Sequence, residues 1–357
     1  MLTGIRGNYI VPEPSLLATI THVCLAFMSP DDFMSDPPIS WPFPEDVNAI
    51  RAKFPKHTKV LISIGGWGDT KAFSEAAKSQ SSRERFAKNV ATMVYGTGID
   101  GIDLDWEYPG GNGEDYKNIP NSEKEWEIEA FPKLLAQLRS ELGSNKTLTA
   151  AVPGLPRDMI AFTNDTVPSI NSSLDFINVM TYDLMNRRDT ITKHHAGTEA
   201  STQSIDTYIE LGFPSKKLNV GFAFYVKWFE TELEDCISNP VGCKVPLMED
   251  PETGDDLGQC GAFDWRSIPP DLKRPFQKAL DNGSYDRIGG GHYYWDLEDR
   301  RWWTWETPEA IRKKFESLVP TRGLGGVFAW ALGEDAPDFS HLKALGKSIA
   351  EYHKDRG

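Results

Sequence analysis

Asp100-Gly101-Ile102-Asp103-Leu104-Asp105-Trp106-Glu107 puts four acids into eight positions. The acids alternate with apolar residues, and Ile99 extends the apolar character upstream. Side chains on a strand alternate faces. The pattern therefore predicts a strand with Asp103, Asp105 and Glu107 on one face and Ile102, Leu104 and Trp106 on the other. A row of carboxyl groups on one face is costly unless it does chemistry or binds a cation. Neighbouring like charges resist joint ionisation, so a proton is held near neutral pH. A held proton is what a general acid needs.

Three plainer readings compete. A calcium loop wants Asp/Asn alternation with glycine at its sixth position, whereas Leu104 and Trp106 stand between these acids. A magnesium site at a barrel mouth takes few carboxylates. A solvated charged face does not account for the apolar opposite face.

Outward from this stretch, apolar strands recur with helices between them. Thr21–Phe27, Lys59–Ile64, Thr147–Val152, Leu174–Thr181, Leu218–Tyr225 and Gly325–Trp330 read as buried strands. Met1–Ile5 has room only for a stub of one more. Helices are expected over Glu45–Phe54, after a Ser81-x-x-Glu84 capping box, over 122–142 with Pro132 starting or kinking it, over Ser204–Leu211 and over 341–353. The alternation predicts an α/β chain with a parallel sheet. Seven strands and the stub make eight, which favours a closed (β/α)8 TIM barrel over an open sheet; no nucleotide-binding glycine pattern follows the first strand. The interval from Tyr225 to Gly325 is too long for one helix. It predicts a small α+β insertion. The expected division is 1–225 for the first part of the barrel, 226–296 for the insertion and 297–357 for the last part.

The 357 residues suit one such domain, and the net charge of −14 argues against a nucleic-acid partner. No apolar run approaches a membrane span, and the N-terminus lacks a signal peptide's apolar core. Cys24 reads as a buried thiol. A Cys236–Cys243 bridge is the first expectation, with Cys243–Cys260 as the alternative. Asn145, Asn164, Asn171 and Asn282 each open an Asn-x-Ser/Thr triplet, which tilts the expectation toward a secreted, mature chain.

In such a barrel the active site lies at the C-terminal strand ends. Those ends carry Phe27, Gly65-Gly66-Trp67, Asp105 and Glu107 with Tyr108 beside it, Met180, Tyr182-Asp183, Tyr225 and Trp330. Carboxyls surrounded by aromatics suit sugar rings: aromatic faces stack on them, and carboxyls and phenols bond their hydroxyl and amide groups. The competing readings are core packing for Phe27 and Trp330 and a strand-end cap for Tyr182-Asp183. His194-His195 lacks helical ligand spacing and reads as a polar loop. Cys24 lies within an apolar strand and is no nucleophile.

Asp100-x-x-Asp103-x-Asp105-x-Glu107 resembles the signature of glycoside hydrolase family 18, the chitinase family. Ser63-x-Gly65-Gly66 is similar to that family's third-strand motif, Met180-x-Tyr182-Asp183 to its sixth and Gly221-Phe-Ala-Phe-Tyr225 to its seventh. Trp330 falls where the family places a tryptophan under the cleaved sugar. The pattern is closest to fungal and bacterial members with an insertion between strands seven and eight. Two departures stand out: the first strand is short, and Tyr225-Val-Lys227 replaces a Tyr-Gly-Arg often seen there. The resemblance implies Glu107 as proton donor, with Asp105, Asp103 and Tyr182 serving a nucleophile supplied by the substrate's own acetamido group. Trp67, Tyr108, Met180, Asp183, Phe27, Tyr225 and Trp330 would bind substrate. It implies chitin or N-acetylglucosamine oligomers as partner, no cofactor, no metal, no membrane and a monomer. Two alternatives remain within the resemblance: a lectin-like chitin-binding protein, against which Glu107 argues, and an endo-β-N-acetylglucosaminidase on glycoprotein glycans.

Overall fold

From the second strand on, the strands of the main sheet bring apolar faces to a ring of helices, and the sheet closes into a barrel. The computed structural model describes residues 2–5, 10–35, 40–232 and 236–354. Strands β1 (Leu2–Ile5), β2 (His22–Met28), β3 (Lys59–Gly65), β4 (Gly101–Asp105), β5 (Thr147–Pro153), β6 (Phe176–Met180) and β7 (Leu218–Ala223) run in order around the barrel. The last strand of the chain, β13 (Gly326–Trp330), closes it between β7 and β1. The stub is long enough to do this. It pairs in parallel with β2 from Leu2↔His22 to Ile5↔Leu25, and with β13 at Leu2↔Phe328 and Thr3↔Ala329.

β4 behaves as its alternation predicts. Ile102, Leu104 and Trp106 enter the core between barrel and helices. Trp106 stacks on Phe73 at 5.4 Å and meets Phe131 edge-on at 5.9 Å. Glu107 lies two residues past the strand's last residue, on the chain leaving the barrel.

The helix before β4, Gln80–Thr97, is capped by Ser79 and not by Ser81. Ser79 is the last residue with extended backbone, and its hydroxyl and that of Ser82 each accept the other's backbone N–H, at 3.1 and 2.9 Å. Pro132 lies inside the helix Trp126–Leu142, not at its start. The helix expected from Ser204 begins at Thr198. A further helix, Pro308–Arg322, was legible in its Thr307 N-cap and first-turn proline.

The insertion is a five-stranded sheet. Its strands are β8 (Tyr225–Glu230), β9 (Cys260–Asp264), β10 (Ser284–Asp286), β11 (Gly291–Asp296) and β12 (Arg301–Trp305), in the order β10-β11-β12-β8-β9. The boundary expected after residue 296 therefore falls inside the β11–β12 hairpin. β12 pairs antiparallel with β8 from Arg301↔Glu230 to Trp305↔Val226, so the insertion takes in 225–305 and the barrel resumes at Pro308. Val226, Phe263, Phe276, Trp303 and Trp305 form the insertion's own core. Cys236 and Cys243 are bridged with Cα atoms 5.0 Å apart, which leaves Cys24 and Cys260 as free thiols.

Candidate active site

Asp103 points into the barrel, 4% exposed. Inward side chains of three neighbouring strands donate to it: Thr149 Oγ1 at 2.5 Å, Asn178 Nδ2 at 3.0 Å and Ser63 Oγ at 3.3 Å. Burial raises its pKa, and these bonds partly offset the rise. One pleat further on, Asp105 is buried with Oδ1 unpaired. Burial, then the charges of Glu107 and Asp103, push its carboxyl well above the ordinary range. Glu107 follows at the mouth. Burial lifts it to about 7; its hydrogen bond with Tyr108 works against the rise, and Asp183 and Asp158 add to it. Asp105 and Glu107 titrate as a linked pair in which burial and mutual repulsion favour a retained proton.

Asp183 behaves in the opposite way. Its side chain is 53% exposed, and although desolvation in the groove opposes its ionisation, Lys227 and His195 outweigh that and hold the carboxyl below the usual range. Tyr225 Oη and Lys227 Nζ both donate to Oδ1 at 2.8 Å, and Asp183 itself sits at φ +52°. Tyr182 feels the charges of both Asp183 and the acidic row. Its phenol is kept protonated by burial and by the charges of Asp105 and Glu107. Its ring lies 6.1 Å from Tyr225 and 5.7 Å from Phe328.

A buried ion pair braces this wall from behind. Lys314, 1% exposed, donates to the carbonyls of Thr181 at 3.0 Å and Ala196 at 3.1 Å. It pairs with Glu306 at 3.4 Å, and Glu306 accepts the Ala223 N–H at 2.6 Å. The segments carrying Tyr182, His195 and Tyr225 are thus fastened to one buried charge pair.

Aromatics floor and flank the mouth. Phe27 stacks on Trp330 at 5.3 Å and 17°. Trp67 is 49% exposed and meets Tyr108 edge-on at 6.4 Å. A side chain on Gly65, at φ +106°, would come within 2.2 Å of the Asp105 carbonyl, so only glycine lets the end of β3 lie flush against β4.

The residues at the mouth line a groove of about 900 Å³. Every side chain singled out in the sequence lines it except Asp103, which lies beneath. Sequence reasoning did not find Asp158, Asn186, Arg187 and Arg188, nor the β9 edge from Cys260 to Asp264. Asp158 was findable, since it follows the end of β5. The arginines come from a loop with no signal of its own. Asp158 is buried with Oδ1 unpaired, and burial raises its pKa. His194 and His195 lie on a loop as expected, but they are buried: His194 bonds Asp286 at 3.0 Å and His195 packs behind Tyr225 at 5.2 Å. Among the described residues no three His, Cys, Asp or Glu side chains converge to hold a metal ion.

Comparison with known proteins gives the family. Chitotriosidase-1 of Mus musculus is 29% identical over 318 residues, covering 83% of this chain and 62% of that protein. The chain spans about three fifths of the length of two curated relatives it matches, 62% in each case. By fold, it resembles a chitinase from Rhizomucor miehei with a TM-score of 0.78 at 23% identity, over 98% of this chain and 99% of that one. It also resembles a chitinase mutant from Cycas revoluta that was solved with (GlcNAc)4; there the TM-score is 0.69 at 22% identity, over 92% of each chain. The model of glycosyl hydrolases family 18 matches residues 4–335. That span holds the acidic strand, the barrel and the aromatic mouth together, and the chain belongs to glycosyl hydrolases family 18.

Proposed function

We propose that the protein is a chitinase, hydrolysing β-1,4 linkages between N-acetylglucosamine units with retention and with help from the substrate. One observation carries the reading: Glu107, held at about 7, faces a groove in which the ionised carboxylate, Asp183, is already engaged by Lys227 and Tyr225. An acid is available, and of the carboxyls that act on it Asp183 is engaged by Lys227 and Tyr225 while burial disfavours the ionised forms of Asp105 and Asp158. Glu107 gives its proton to the glycosidic oxygen. The substrate's 2-acetamido oxygen attacks the anomeric carbon as the bond breaks, giving an oxazolinium ion. Asp105 accepts the acetamido N–H and shares a proton with Asp103. Tyr182 donates to the acetamido carbonyl oxygen and aims it. Glu107 then takes a proton from the incoming water, whose oxygen attacks the anomeric carbon from the side the leaving group vacated; the bond from that carbon to the acetamido oxygen breaks and the acetamido group is restored. Every step uses side chains and substrate groups.

The Cys236–Cys243 bridge and the exposed triplets at Asn145, Asn164 and Asn282 support an extracellular location. The presence of Glu107 speaks against a lectin-like role.

The test is hydrolysis of N-acetylglucosamine oligomers beside a glycoprotein, with the anomeric form of fresh product read by NMR. Cleavage of the oligomers with β product first is expected. Cleavage of the glycoprotein alone would overturn the substrate, and α product first would overturn the mechanism.

Trp330 is read as the platform under the cleaved sugar. Trp330→Ala is expected to weaken oligosaccharide affinity by roughly 1–3 kcal/mol, the range for a large aromatic at the centre of a binding site. Affinity and melting temperature measured together decide the role. If Trp330 only packs on Phe27, melting temperature falls while affinity of the folded protein holds.

A further inference from the structure

Arg188 follows β6, yet it touches the loops beyond β3 and β4. Its guanidinium carbon lies 5.5 Å from the ring centre of Trp67 and 3.8 Å from that of Tyr116. Its two terminal nitrogens donate to the carbonyls of Asn112 at 3.0 Å and Gly113 at 3.2 Å. β4 and β5 separate β3 from β6 in the barrel, so these loops meet only where side chains span that side of the mouth. The insertion joins the same junction. Arg187 pairs with Glu249 at 3.3 Å, the Tyr116 hydroxyl donates to Glu249, and Lys117 Nζ donates to the Pro251 carbonyl at 2.8 Å. Three barrel loops and the insertion are therefore tied together beside the groove, which Trp67, Arg187 and Arg188 line. The tie is a planar cation between two aromatics, with both prongs hydrogen-bonded, which a lysine would not reproduce.

The direction of the groove follows from the proposed mechanism, on which this inference rests. Trp330 lies under the sugar that is attacked, and Glu107 faces the leaving oxygen. Tyr108, next to Glu107, meets Trp67. The leaving fragment therefore extends toward Trp67 and Arg188, and in a glycosidase that fragment carries the chain's reducing end. We propose that Arg188 is a specificity-determining latch that shuts the leaving-group end of the groove. The reducing end of the substrate stops there, and a short reducing-end fragment is released whatever the length of the chain.

The test uses N-acetylglucosamine tetramer, pentamer and hexamer labelled at the reducing end, with labelled products read at initial rates. The wild-type protein is expected to give one dominant short labelled fragment from all three. Arg188→Ala and Arg188→Lys are each expected to raise the share of longer labelled fragments by about two- to fivefold, the factor matching loss of one exposed cation–aromatic contact. The share among products is unaffected by a general loss of stability or rate. A wild-type label spread evenly over fragment lengths, or variants with the wild-type distribution, overturns the latch alone. Failure of the wild-type protein to cut any oligomer overturns the latch together with the functional reading beneath it.

Discussion

Glu107→Gln is expected to lower kcat by about a hundred- to ten-thousandfold, the usual contribution of a positioned acid. Gln is nearly isosteric and cannot supply the proton. Melting temperature and oligomer affinity are expected to hold, because the side chain keeps its shape and its neighbour Tyr108. The pH profile gives an independent check. Burial raises the Glu107 pKa from 4.5 to about 7. A group that acts as an acid works below its pKa, so kcat/KM should fall as pH rises through about 7. The residual activity of the Gln variant should show no such limb. Asp183, held ionised by Lys227 and His195, contributes no limb in that range. Turnover within a factor of a few of wild type would remove Glu107 from its role.

The acidic strand could be read from sequence because its information is local. A period of two places Asp103, Asp105 and Glu107 on one face whatever surrounds them. The same holds for the strand ends, since a parallel barrel gathers them on one rim. The insertion boundary could not be read this way. β12 is an apolar run like a barrel strand, and only its pairing with β8 shows where it belongs. Ser79 was missed for a related reason: Ser79, Ser81 and Ser82 all suit a cap, and the backbone conformation chooses among them. Arg188 lay furthest from reach. Its role depends on loops from β3, β4 and β6 meeting in space, and nothing in Asn186-Arg187-Arg188 announces Trp67 or Tyr116 as a partner. The brace of Lys314 and Glu306 was equally hidden, because a buried lysine looks in sequence like any lysine on an amphipathic helix.

Fully deacetylated glucosamine oligomers are expected to bind and not to be cut. Asp105, with Oδ1 buried and unpaired, and Tyr182, with its phenol kept protonated, form a pair suited to an amide: one accepts its N–H and the other donates to its oxygen. Without the acetamido group that pair has nothing to orient, and the internal nucleophile is gone. A well-placed intramolecular nucleophile is worth on the order of 7–11 kcal/mol of barrier, so even partial loss would put cleavage below detection. The other carboxyls around Glu107 are poor replacements: burial disfavours the ionised forms of Asp105 and Asp158. Asp183 is occupied by Lys227 and Tyr225, and Asp103 is spent on Thr149, Asn178 and Ser63 below the groove floor. Asp105→Asn and Tyr182→Phe should each slow cleavage of acetylated oligomers. A thiazoline analogue of the cyclised sugar should bind more tightly than substrate, because it resembles the species the site stabilises. The decisive measurement is the rate and stereochemistry on deacetylated oligomers. Efficient hydrolysis with retention would require a nucleophile from the protein, and the roles given to Asp105 and Tyr182 would then be wrong.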